Sequence, residues 1–149
     1  MEPDEVQREI VIDAPIERVW NLVTTQENFA AWYAAGGAEI DLRPGGSMLM
    51  RWDEHGEFLA VVEVVEAPHR FVYRFAREPN QAPRPGNSTR AELVLEAIGS
   101  KTRVVVTETG FAELDIDSEE RRAYAQTEGQ GWTAGLAALR DHAQHGSRR

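Results

Sequence analysis

The chain has 149 residues and sets 16 Lys and Arg against 25 Asp and Glu, a formal net charge of −9 at pH 7. That length suits one domain spanning residues 1–149, and 42% hydrophobic with 28% charged residues is a globular balance; the acidity argues against a nucleic-acid grip or a basic membrane patch. The absence of Cys excludes disulfides, thiol nucleophiles and Cys-ligated zinc, and no apolar run approaches the roughly 20 residues that a membrane span needs.

The acidic opening stretch lacks the basic and apolar regions of a signal peptide, so a cytoplasmic location is expected. Val6, Arg8, Ile10 and Ile12 alternate with more polar neighbours, which predicts a half-buried strand ending at Asp13. Pro15 suits the first turn of a helix with Asp13 or Ala14 as cap, and Ile16, Val19, Trp20 and Val23 form its apolar face. A second short helix is expected over Gln26–Tyr33, carrying Phe29 and Trp32 on one side. From Ala38 the period is two. Strands are predicted through Ile40 and Leu42, then, past the turn Arg43-Pro44-Gly45-Gly46, through Met48, Met50 and Trp52. Phe58 to Glu66 is a β-branched run broken at Ala67-Pro68-His69, and Phe71, Tyr73 and Phe75 alternate after it. Residues 77–88 hold three Pro and one Gly and are expected to be irregular and mobile. Two more strands follow, through Ala91, Leu93 and Leu95 and through Val104 and Val106. Asp117 and Glu120 then form a capping box at the head of a long helix reaching about His145. Six strands joined by tight turns imply an antiparallel sheet, and the long helix is the only element large enough to cover it.

The stretches IDAPIERVWNLVTTQENFAAWY, DLRPGG, VVEVVEAPHRFVYRF, TRVVVTETGF and GQGWTAGLAALRDH, in that order, resemble the START-like (SRPBCC) helix-grip superfamily, in the branch named after the activator of the Hsp90 ATPase (AHSA1-like). The resemblance implies an α+β fold: a curved antiparallel sheet around a long C-terminal helix, two short helices after the first strand, and a cavity between sheet and helix. It also implies a choice among ligand carriers, co-chaperone domains and cyclases, because this fold hosts all of them.

The residues supply candidates for such a cavity. Trp32, Tyr33, Trp52, Tyr73 and Trp132 combine an apolar body with a polar handle, Met50 suits an adaptable wall, and Phe75 and Leu136 share faces with them. Gly129, Gly131 and Gly135 each cost about 1 kcal/mol against Ala in a helix interior, so they either seat close packing or leave room for a ligand. Glu108 interrupts an apolar alternation; it either ends the strand in solvent or stands at the cavity mouth with a raised pKa. Glu63 poses the same question, and the two facing inward together would make an acid–base pair. His142 and His145 lie three apart on a helix but lack a third ligand, and as cations they suit the helix's negative end, so neither a metal nor another cofactor is expected. The reading is a module that binds a small hydrophobic or amphipathic molecule. A co-chaperone-like domain regulating an ATPase is the first alternative and a cyclase- or lyase-type enzyme the second. The expected partners are that ligand and a possible protein, with no nucleic acid and no membrane, and the protein as monomer or homodimer.

Overall fold

The computed structural model describes residues 4–145. Strand β1 (Glu5–Ile12) is followed by helices α1 (Ile16–Thr24) and α2 (Gln26–Trp32), then by β2 (Gly37–Ile40), β3 (Ser47–Trp52), β4 (Gly56–Glu66), β5 (Arg70–Ala76), β6 (Ser88–Ile98) and β7 (Lys101–Thr109). A 3-10 turn (Phe111–Glu113) leads into helix α3 (Ser118–His145). The seven strands form one antiparallel sheet in the order β1-β7-β6-β5-β4-β3-β2, with α3 across its concave face. This is the α+β helix-grip architecture that the resemblance implies.

Alternation decides which side chains meet the helix. Val104, Val106 and Glu108 of β7, Ala91, Leu93 and Leu95 of β6, and Phe71, Tyr73 and Phe75 of β5 are buried on the concave side. α3 answers with a stripe at heptad-like spacing, Ala125, Gly129, Trp132, Leu136, Leu139 and Ala143. The opposite face of the sheet is dressed with ion pairs, such as Arg51 with Glu39 and Glu57, Arg70 with Glu92, and Arg103 with Glu9. Glu63 belongs there. It bonds Arg90 at 2.7 Å and Arg74 at 3.3 Å, beside a bulge between Val62 and Val64, so it does not face the interior and does not meet Glu108.

Several local expectations meet their physical outcome. Asp117 Oδ1 accepts the Glu120 backbone N–H at 2.8 Å, capping α3. At α1 the cap position is Pro15 itself, in extended conformation and without a side-chain cap bond, rather than Asp13 or Ala14. The strand expected to include Leu42 ends at Ile40, and Leu42 is exposed. Residues 77–87 are irregular, and backbone bonds such as Arg77 N–H to Asn87 and Asn80 N–H to Glu57 tie them to the strands around them.

Candidate functional site

Between α3, the end of α2 and strands β3–β5 lies a cavity of about 630 Å³. Its aromatic wall is Trp32, Tyr33, Trp52, Phe58 and Phe75, and its helix wall is a stripe from Tyr124 through Glu128, Gly131 and Gly135 to Ala138. His55 and Arg77 complete the polar lining.

Backbone hydrogen bonds hold the aromatic wall. Trp32 Nε1 donates to the Leu22 carbonyl at 2.8 Å, which locks α2 onto α1. Trp52 Nε1 donates to the Tyr33 carbonyl at 3.1 Å, which ties the end of β3 to the chain leaving α2. The Tyr33 ring lies flat on Trp132, with centroids 4.7 Å apart and planes 7° from parallel. It meets Trp52 edge-on at 5.4 Å, and Trp52 meets Phe58 edge-on at 5.6 Å. Such pairs contribute beyond their area burial, so the wall is stiff as well as apolar.

The three helix glycines have three different jobs. A Cβ at Gly135 would come 3.0 Å from the Tyr33 ring, so Gly135 seats that ring. A Cβ at Gly129 would come 2.6 Å from the Arg8 guanidinium of β1, whose Nε donates to Thr133 on α3 at 3.1 Å. Gly129 therefore admits Arg8 and opens no cavity. Only Gly131 faces open space, with nothing within 4 Å of its Cβ direction. The spacing of the three on one helix carried no hint of this division, because what stands opposite a helical residue is decided by other elements.

Of the residues expected at the cavity, Trp32, Tyr33, Trp52 and Phe75 line it, as do Gly131 and Gly135. Met50, Tyr73, Trp132 and Leu136 do not. They are almost fully buried in the core behind the wall, and the Tyr33 ring covers Trp132. Glu108 stands neither in solvent nor at the mouth. It is fully buried on the concave face, flanked across the strands by Ala91 of β6 and Val6 of β1. Its Oε1 accepts the Trp132 indole N–H at 2.8 Å and its Oε2 accepts the Thr89 hydroxyl at 2.7 Å.

The group that joins Glu108 is Glu128 of α3, which sequence reading passed over. Glu128 lines the cavity and shares a hydrogen bond with Glu108, so one carboxyl lies behind the wall and the other in it. Its trace in the sequence is its place one helical turn before Trp132 and one after Tyr124, an acidic residue on the helix's inward stripe. Burial is the main force raising both acids. In Glu108 the bonds from Glu128, Thr89 and Trp132 oppose the rise, whereas in Glu128 the neighbouring Glu108 charge adds to it and pushes the group up to about 10. Burial thus favours the protonated form of Glu128, and a protonated Glu128 donates to Glu108, whose oxygens already accept from Thr89 and Trp132. Burial likewise raises the Tyr33, Tyr73 and Tyr124 phenols, with both carboxylates adding to the effect. Among the described residues no group of three or more His, Asp or Glu is placed to hold a metal ion.

The fold recurs in solved structures. DynU16, described as a putative protein of the dynemicin biosynthetic locus, superposes with a TM-score of 0.77 at 18% identity, covering 97% of this chain; this chain spans about half, 48%, of that one. Protein NE0264 from Nitrosomonas europaea superposes at 0.74 with 18% identity, covering 97% of both chains. The Aha1 dimer from Colwellia psychrerythraea does so at 0.74 with 18% identity, covering 96% of this chain and 98% of that one. Likeness at that identity is a likeness of fold. No curated protein matches the sequence. The model of one family does match, over residues 13–144, and so the chain belongs to the activator of Hsp90 ATPase homolog 1-like proteins.

Proposed function

We propose that this chain binds a small amphipathic molecule in the cavity between α3 and the concave face of the sheet. The observation that carries the reading is the make-up of that space: about 630 Å³ walled by tied-down aromatic rings, with an acid on the helix side. Ligand pockets run to roughly 300–1,000 Å³, mostly apolar with a few placed polar groups, and this cavity has both attributes. The test uses Gly131, the one helix glycine with open space before it. Titration with a panel of lipids, polyketides and aromatics should quench or shift tryptophan fluorescence in the native chain. Gly131→Leu should abolish the response while stabilising the fold, since Leu favours a helix over Gly by up to about 1 kcal/mol. A response that survives in Gly131→Leu, or no response to any member of the panel, would sink the reading.

Two other readings each have one observation behind them. The family's description favours a co-chaperone-like contact with an ATPase. Stimulation of an Hsp90-type ATPase that persists in Gly131→Leu would favour that over ligand carriage. The proton held by Glu128 on the cavity wall favours a cyclase- or lyase-type enzyme, because a raised carboxylic acid is a general acid at neutral pH.

A further inference from the structure

Glu108 and Glu128 are joined by a hydrogen bond, and among the described residues neither forms an ion pair with a basic side chain. The groups around them are neutral donors and phenols: Thr89 on β6, Trp132 and Tyr124 on α3, Tyr73 on β5, and Tyr33 after α2. In the row across the sheet, Tyr73 and Glu108 stand on either side of Ala91, and the Tyr73 hydroxyl is buried without a hydrogen-bond partner. Among the described residues the one guanidinium lining the cavity is that of Arg77, which pairs with Glu78 at 2.9 Å and lies 5.7 Å from the centre of the Tyr124 ring. His55, on the turn between β3 and β4, is exposed. The aromatic cavity thus carries an acid pair, Glu108 buried and Glu128 half-buried on the wall, and among the described residues no basic side chain pairs with either.

We infer that the ligand carries a basic nitrogen: the cavity takes a small aromatic or aliphatic body bearing one protonated amine, which docks on Glu128 and replaces the proton shared with Glu108. The exchange balances. The Glu128 O–H bond breaks and its proton leaves to solvent, while the ligand's N–H groups donate to the freed carboxylate. One positive charge goes out and one comes in. The wall suits the same guest, because aromatic rings attract an ammonium at their π faces, and more strongly once it is desolvated. A neutral alcohol offers a donor but no charge, and an anion would meet the acid pair directly. The inference rests on the cavity-binding reading and names the class of molecule for it.

The test compares three probes that share an indole body and differ at the end of the side chain: tryptamine, tryptophol and indoleacetate. Calorimetry on the full chain, in two buffers of different ionisation enthalpy, reads affinity and proton count together. Tryptamine should bind at least about tenfold tighter than tryptophol and release close to one proton, with an affinity rising by up to tenfold per pH unit between about pH 6 and pH 8. Glu128→Gln, whose amide still donates to Glu108, should bring the tryptamine-to-tryptophol ratio close to one and abolish the proton release. The proton count in the native chain keeps the test decisive even if that variant folds poorly. Tryptophol or indoleacetate binding as tightly as tryptamine, or tryptamine binding without proton release, would overturn the amine inference and leave the cavity reading standing. Binding of none of the three would overturn both.

Discussion

At the scale of the residue, Glu128 decides most. A carboxyl that keeps its proton to about pH 10 in the folded chain loses it near 4.5 when unfolded, so folding and protonation are linked. The sign follows from which state holds the proton. Below the ordinary carboxylate range the contribution to stability is fully present; above it the folded chain binds more protons than the unfolded one, and stability falls as pH rises toward 10. The slope for one proton is at most about 1.4 kcal/mol per pH unit. Glu128→Gln removes the titration and keeps a donor for Glu108, so its denaturation midpoint should vary less between about pH 5 and pH 9 and exceed that of the native chain at the alkaline end. Parallel pH profiles for the two proteins would show that the pair titrates normally. The pair was only half legible beforehand. Strand alternation points to Glu108 as an acid on an apolar face, but the partner it suggests is Glu63, which lies on the other side of the sheet. Pairing with Glu128 is a contact between a strand and a helix 20 positions on, and no local period records such a contact.

At the scale of the element, α3 is both the cover of the core and one wall of the cavity, and these duties fall on neighbouring stripes. Leu136 and Leu139 are buried against the sheet, whereas Gly131 and Ala138 border open space. Leu136→Ala should therefore destabilise by about 2–5 kcal/mol, as truncation of a buried Leu does in a close-packed core. An unchanged denaturant midpoint would contradict the packing. The helix was readable in outline because its signals are local: the Asp117–Glu120 cap and the spacing of Trp132, Leu136, Leu139 and Ala143 all lie within the segment. Its glycines were not, since Gly129 answers to Arg8 on β1 and Gly135 to Tyr33 after α2. The short helices show the same split. Trp32 and Tyr33 were recognisable as amphipathic aromatics, but the bonds from Trp32 to Leu22 and from Trp52 to Tyr33 that aim them cross from one element to another.

At the scale of the whole molecule, the sheet has a largely apolar concave side and an opposite side laced with Arg–Glu pairs. Exposed pairs of that kind are individually worth about 0–1 kcal/mol, so the core and α3, not the charge lattice, carry the fold. The two carboxyls sharing one proton have a consequence that reaches past the cavity. Trading that proton for a ligand's ammonium leaves the molecule's net charge where it was. Occupancy by the amine should then be electrically silent. The complex should migrate with the free protein in a native gel, and at fixed pH its affinity should change little with added salt, although the chain carries nine excess negative charges. A mobility shift of one full charge on saturation would mean that the incoming cation was added to the proton, not exchanged for it.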